Sequence, residues 1–300
     1  MKINTEKLKV KFGNRILINE KLSNYSWFNL GGKADIFFKP NNIEDIFVFL
    51  EEIKPQKFTV LGAGSNTLIR DGGIEGITIK LSSSFSYINL VSKNIIEVGA
   101  ATSDKKIADF AMENSLTGLE FLACIPGSIG GAVRMNTGCY GNDISKILHS
   151  IKTINIQGKI KEILAKDIKF SYRGSNLEQN LIVTSVKLIG KESLKKEIEE
   201  KQKAMVERKK NSQPSQIKTC GSTFKNTKDK KAWQLIKESN CERLKVGDAE
   251  ISEKHCNFFV NKGNATSKDL EELINKVKNA VYQKTKVNLE LEIKIIGHDN

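Results

Sequence analysis

The stretch 60–73 reads VLGAGSNTLIRDGG, and it decides the class of fold. The apolar run before it leads into Gly62-Ala63-Gly64-Ser65-Asn66-Thr67, as a strand leads into a phosphate-binding turn. In a doubly wound dinucleotide fold a helix begins at that turn. None is expected here, because TLIRDGGIEG (67–76) is rich in turn residues and lacks a helical apolar period. The glycines are not followed by a phosphate-binding lysine either, which disfavours an NTPase.

Reading outward, strands are expected at ITIKL (77–81), IIEVGA (95–100), 150–164 and 181–188. Residues 43–53 place Ile43, Ile46, Phe47, Leu50 and Ile53 on one helical face. A second helix is expected over 103–114, with Ser103 as N-cap and Ile107, Phe110, Ala111 and Asn114 on one side. Composition shifts near residue 190, where 191–211 reads as a charged helix carrying Leu194, Ile198 and Met205. Beyond it lie a short helix near 231–239, a strand CNFFVN (256–261), a helix over 268–283 and a closing strand LELEIKII (289–296). The 268–283 helix turns Leu270, Leu273, Ile274, Val277 and Val281 inward and takes Thr266 or Ser267 as its cap. Strands and helices without regular βαβ alternation indicate an α+β fold.

Composition bounds the function. Three hundred residues suffice for two or three domains with real cores. No apolar run approaches the roughly 18–20 residues that span a bilayer. The start, MKINTEKLKVKFG, has no apolar h-region, so a cytoplasmic protein is expected. The five cysteines, Cys124, Cys139, Cys220, Cys241 and Cys256, form no CxxC pair, and His149, His255 and His298 are scattered. Neither a disulfide framework nor a metal site is expected. The net charge of +13 suggests nucleic acid, but the lysines spread along the whole chain. Only six basic residues are arginine, and where lysine is the default an arginine marks a need for a planar, bidentate donor. That directs attention to Arg173 and Arg208.

Four motifs carry chemistry. A second glycine-rich stretch, IPGSIGGAVRMNTGCYG (125–141), offers Gly127, Gly130 and Gly131 around Ser128. Both glycine stretches are either tight turns required by the fold or backbone cradles for a pyrophosphate. In FSYRGSN (170–176) Tyr172 adjoins Arg173, as a strand end or as a clamp on a carboxylate. In the final strand Glu290, Glu292 and Lys294 share one face, about 6.5–7 Å apart, as a solvated edge or a site wall. In TCGSTFKN (219–226) Ser222 lacks the G-x-S-x-G frame of a nucleophile and any obvious histidine base. It can still donate a proton to a strongly basic carbanion, with Lys225 as a neighbouring cation. The residues permit a phosphate-rich cofactor and a serine, arginine and glutamate site; they do not name a reaction.

Taken in order, these motifs resemble the UDP-N-acetylenolpyruvoylglucosamine reductase family over residues 26–297. The resemblance runs through YSWFNLGGKADIFFKP (25–40), VLGAGSNTLIRDGG (60–73), GLEFLACIPGSIGGAVRMNTGCYG (118–141) and FSYRGSN. It continues through RKKNSQPSQIKTCGSTFKN (208–226), ISEKHCNFFVNKGNATSKDL (251–270) and LELEIKIIG (289–297). It implies a vanillyl-alcohol-oxidase/PCMH-type FAD-binding region over 1–190, in subdomains of roughly 1–80 and 81–190. A separate α+β substrate-binding domain over 191–300 would follow. It implies noncovalent FAD, held by Gly62, Ala63, Gly64, Ser65, Asn66, Thr67, Ile125, Pro126, Gly127, Ser128, Gly130 and Gly131. No histidine lies in 60–73 or 118–141 to attach a flavin covalently.

NADPH as reductant and a UDP-linked enolpyruvyl sugar as substrate are implied as well. Ser222 matches the family's proton donor, Arg173 its arginine and Glu292 its glutamate, the second in L-E-x-E. Tyr172, Arg208, Lys225 and Asn226 are the expected substrate contacts. The chain matches the shorter subtype and is expected to be a monomer or weak oligomer, binding neither nucleic acid nor membrane. It departs from the family at Thr227, where proline is usual, and at Thr219-Cys220, where Ser-Ala is common.

Overall fold

The computed structural model describes residues 3–54 and 56–299. The chain divides into two compact units. Unit one holds residues through Ile18, Ile36–Ala63 and Gly76–Lys209; unit two holds Asn19–Asp35, Gly64–Glu75 and the chain from Lys210 onward. Helices and strands mix without a regular βαβ order, as the sequence implies.

Unit one has two cores. The first covers an antiparallel five-stranded sheet in the order Ile160–Leu164, Leu148–Ile154, Ile182–Ile189, Ile95–Gly99, Ile88–Ser92. Across its middle, Ile151 pairs with Val186 and Val186 with Val98. All three are buried, and the helices Asp104–Glu113 and Ile129–Met135 cover them with Ile107, Ala111, Ile129 and Val133. Each such aliphatic side chain contributes roughly 1.5–3 kcal/mol by leaving water. Ser103 occupies the N-cap position of the first helix, but its side chain caps nothing. Its backbone pairs instead with Ser128.

The second core lies on the strands Ile16–Lys21, Lys33–Phe38, Ile74–Ile79 and Phe58–Val60, hydrogen-bonded in that order. The helix Ile43–Ile53 has the bounds its periodicity predicts, and Asn42 caps it by accepting from Asp45 N at 2.8 Å. Its Phe49 stacks on Phe38 at 3.9 Å between centroids, and Phe12 meets both rings edge-on. The charged helix spans Lys195–Ser212 and buries Ile198, while Met205 packs on the first core. Leu194 falls outside it and is 69% exposed, so it is no part of the inward face.

Unit two is built on the helix Ser267–Thr285, which buries Leu270, Leu273, Ile274, Val277 and Val281. A capping box formed by Thr266 and Asp269 starts it. The TLIRDGG stretch attaches to this helix. Arg70 makes a bidentate pair with Glu271 at 2.8 and 2.8 Å, and Asp71 accepts from Ser267 N at 2.7 Å. Thr67–Ile69 pairs in parallel with Lys294–Ile296.

The sequence expectation for the last strand needs correction. The alternation sets Leu289, Leu291, Ile293 and Ile295 on one face; Leu289 and Ile293 are buried and Leu291 and Ile295 half-buried, but only Lys294–Ile296 forms a regular strand. The chain bends at Glu292-Ile293 because its partner changes there. Before the bend Leu291 bridges to Phe224; after it Lys294 N donates to Asn66 O at 2.9 Å. Residues 256–261 behave similarly, with regular strand only at Phe259–Asn261. No helix among the described residues is long and apolar enough to cross a membrane.

Candidate active site

In unit one the two glycine stretches meet. A methyl group built on Gly62 would lie 3.3 Å from Ser128 Oγ and 3.9 Å from Gly131 Cα. Such small residues leave backbone accessible to a large ligand. The second stretch is held from behind: Ile129 N donates to Thr102 O and Gly130 N to Ala100 O, each at 3.0 Å. Ile125 is buried, Pro126 exposed, and Gly127 and Ser128 half-buried. One residue that the motif reading missed supports the first loop. Lys80 donates from Nζ to the Gly62 carbonyl. Burial, with Lys39 nearby, pulls its amine down to about 8. Its only sequence signal is a lysine at the end of an apolar strand.

Arg173 also belongs to unit one, where Phe170–Ser171 and Gly174–Ser175 form a small hairpin with Tyr172 and Arg173 at its tip. Arg173 has φ +58°, a left-handed conformation that costs a residue bearing a Cβ roughly 1–2 kcal/mol and recurs at functional sites. Three bonds fix the hairpin on the second glycine stretch. Arg173 donates to Gly138 O at 2.8 Å, Asn136 Nδ2 to Ser171 O at 3.1 Å, and Ser175 Oγ to Arg134 O at 2.9 Å. The Arg173 guanidinium lies 4.9 Å from the centre of the Tyr172 ring, and Arg208 stands 5.1 Å from that of Tyr140. Tyr172 and Arg208 are exposed.

In unit two three predicted elements converge on one another. Glu292 N donates to Thr223 O at 2.8 Å, beside Ser222, and Lys225 N donates to Glu290 O at 2.8 Å. Asn66 Nδ2 donates to Glu292 O at 3.0 Å. Cys220 is buried against the first glycine loop, its thiol donating to Gly64 O at 3.5 Å and Thr67 O at 3.4 Å. Burial pushes that thiol up to about 12, so it stays protonated as a donor. Gly64 has φ +69°, and a methyl there would lie 1.9 Å from the Tyr25 carbonyl oxygen. The early YSWFN motif and the first glycine loop are thus one packing unit. Ser65, Asn66 and Thr67 are half-buried, as is Ser222.

Of the expected substrate contacts in this unit, Lys225 Nζ pairs with Glu290 at 3.4 Å. Asn226 Oδ1 accepts from Ala232 N at 3.0 Å, at the start of the helix Ala232–Glu238. Sequence reasoning missed Asn257. Its side chain is buried, accepts from Phe224 N at 3.0 Å and donates to Phe224 O at 2.8 Å. Its own carbonyl accepts from Thr223 N at 2.8 Å. It therefore acts as a substitute strand partner for the backbone of the serine loop. The signal was one polar residue inside the run CNFFV (256–260). Among the described residues no group of three or more potential ligands surrounds a metal-sized site.

Comparison with known proteins identifies the family. Residues 34–164 match the family model of an FAD binding domain, and residues 213–296 that of the UDP-N-acetylenolpyruvoylglucosamine reductase C-terminal domain. The chain is 44% identical over 294 residues to the UDP-N-acetylenolpyruvoylglucosamine reductase of Pelagibacter ubique, covering 95% of this chain and 97% of that one. It is 44% identical to that of Wolbachia pipientis wMel, covering 92% and 94%. The crystal structure of UDP-N-acetylenolpyruvylglucosamine reductase from Thermus caldophilus superposes with a TM-score of 0.83 at 32% identity, over 94% of this chain and 98% of that one. Identity at this level across almost the whole chain, together with the match to the family's C-terminal domain, makes the protein a member of the UDP-N-acetylenolpyruvoylglucosamine reductase family.

Proposed function

We propose that the protein reduces the enolpyruvyl group of UDP-N-acetylenolpyruvoylglucosamine to the lactyl ether of UDP-N-acetylmuramate, in the cytoplasm, for peptidoglycan precursor synthesis. The reading rests chiefly on the convergence of Asn66, the Ser222 loop and Glu292 in unit two. The region 1–190 takes the flavin and 191–300 the sugar nucleotide.

The residues of unit one suit FAD: Gly62, Ser128 and Gly131 form a cradle that a methyl on Gly62 would crowd, and Ala63–Thr67 and Ile125–Gly130 are the further residues assigned to flavin binding. The hydride chemistry that side chains lack is what FAD, reduced by NADPH, supplies when bound. Arg173 stabilises negative charge that gathers on the substrate carboxylate as the enolate-like state forms. Glu292 serves as a hydrogen-bonding partner or protonated donor, its backbone held by Thr223 and Asn66. Ser222 holds the proton on Oγ and delivers it to the carbon beside the carboxylate. It acts as an acid, and so needs no histidine. Tyr172, Arg208, Lys225 and Asn226 bind the substrate, whose diphosphate and carboxylate suit a basic chain.

The test is spectroscopic. The purified protein carries a flavin spectrum that bleaches anaerobically with NADPH, and the chromophore is released by denaturation. Ser222→Ala keeps that bleaching but loses product formation by roughly 10²–10⁴-fold, the usual range for a general acid. Normal turnover by this variant would remove Ser222 from the mechanism. A colourless protein that takes up no FAD would remove the function.

A further inference from the structure

The glycine turns at 60–69 and 125–133 contain no lysine or arginine. The basic residue that follows each is engaged elsewhere. Arg70 forks onto Glu271, and the Arg134 guanidinium donates to the carbonyls of Glu178 and Leu181. FAD carries negative charge on both phosphates of its diphosphate, and a turn of backbone amides offsets that charge only with partial charges.

One cation reaches the first turn from another strand of unit one. Lys80 follows Ile74–Ile79, which pairs in parallel with Phe58–Val60. Leu61 N donates to Ile79 O at 2.9 Å, which sets Lys80 beside Gly62. Lys80 Nζ then donates to the Gly62 carbonyl. Both residues are half-buried, so the amine stays within reach of a ligand. An ammonium has three donors. Among the described residues Gly62 O is its acceptor, and no carboxylate neutralises it. A charge withdrawn from water without a counter-ion is costly, and an anion placed beside it removes that cost. Ser128 Oγ faces the same glycine, 3.3 Å from where a methyl on Gly62 would stand, and it caps nothing. The lysine bond also occupies the Gly62 carbonyl, whose negative end would otherwise oppose an anion in the cradle.

We propose that Lys80 supplies the cation for the FAD diphosphate in unit one: its ammonium holds the Gly62 carbonyl and pairs with phosphate oxygens received by the cradle of Gly62, Ser128 and Gly131. The assignment rests on the flavin reading above. Lys80 is a binding residue from outside both glycine turns and takes no part in hydride or proton transfer.

Full-length protein freed of flavin is titrated calorimetrically with FAD, ADP and riboflavin. ADP carries a diphosphate without the flavin ring, and riboflavin carries the ring without phosphate. In Lys80→Met the affinities for FAD and ADP each fall by roughly 10–100-fold, the range for a hydrogen bond to a charged group, and riboflavin affinity is unchanged. Lys80→Arg, which keeps the charge, recovers most of the FAD and ADP affinity. Added salt weakens FAD binding to the wild-type chain more steeply than to Lys80→Met. A Lys80→Met protein that binds FAD and ADP as the wild type does would overturn the proposal. An equal loss for riboflavin would overturn it too, because it marks a lysine that only shapes the loop. ADP binding that depends on Lys80, in a chain that takes up no flavin, would leave the cation site standing and sink the flavin reading alone.

Discussion

Gly64→Ala tests the claim that the first glycine loop and the YSWFN segment are one packing unit. Two costs add at this position. At φ +69° an alanine is left-handed, which costs about 1 kcal/mol relative to glycine. Its methyl would also lie 1.9 Å from the Tyr25 carbonyl oxygen, so the loop or the segment must move by about 1 Å or more to reach normal contact. That movement breaks the bond from Trp27 N to Gly64 O, now 3.1 Å, and strips partners from the Cys220 thiol. Each buried bond lost costs about 1 kcal/mol, and a stranded donor somewhat more. The total is about 3–5 kcal/mol. Gly76→Ala is the control: φ is +74°, but nothing lies within 4 Å of its methyl, so only the backbone cost of about 1 kcal/mol applies. Urea unfolding of both variants gives the difference, and titration with FAD reports the loop. A Gly64→Ala protein no less stable than Gly76→Ala, and binding FAD as wild type does, would refute the packing argument.

The other predictions are briefer. Asn257→Ala removes both side-chain bonds to Phe224 and strands its backbone groups, so stability falls by about 2–3 kcal/mol and turnover falls while flavin binding persists; unchanged turnover would show that it does not position the serine loop. Lys80 has its amine at about 8 in the folded chain against an ordinary 10.5, so the unfolded chain binds more protons between those values and stability rises with pH from about 8 to 10.5. The rise attributable to this group is about 3 kcal/mol, and Lys80→Met should flatten it in pH-dependent urea melts. A double-mutant cycle on Arg70 and Glu271 should return a coupling of about 1 kcal/mol, and Arg70→Lys should lose most of it by losing the fork.

Local pattern made much of this fold legible. The helix Ile43–Ile53 and the cap of Ser267–Thr285 follow from apolar spacing and a single capping residue, both of which act within a few positions of the chain. The final strand shows where local pattern stops. Alternating Leu and Glu correctly place Leu289 and Ile293 inside, but the bend at Glu292 comes from exchanging a partner near residue 224 for one near residue 67. No periodicity within eight residues carries that information. Arg173 is similar: a left-handed turn tip is usually signalled by glycine or asparagine, and arginine there hides the hairpin.

The candidate site was legible for a different reason. Its residues are far apart in the chain; Asn66 reaches Glu292 across 226 positions. What connects them is that each motif meets a requirement set by another. Gly64 is glycine because Tyr25 approaches it, Cys220 is a buried donor because the Gly64 and Thr67 carbonyls need one, and Asn66 fits where Glu292 turns. Motifs read singly look like ordinary turns. Read in order they constrain one another, so a substitution at Tyr25–Asn29 should disturb the serine loop through Gly64 and Cys220 before it disturbs any reacting atom. The residues that escaped, Asn257 and Lys80, are those whose partners are backbone carbonyls and amides, which any sequence supplies and none advertises.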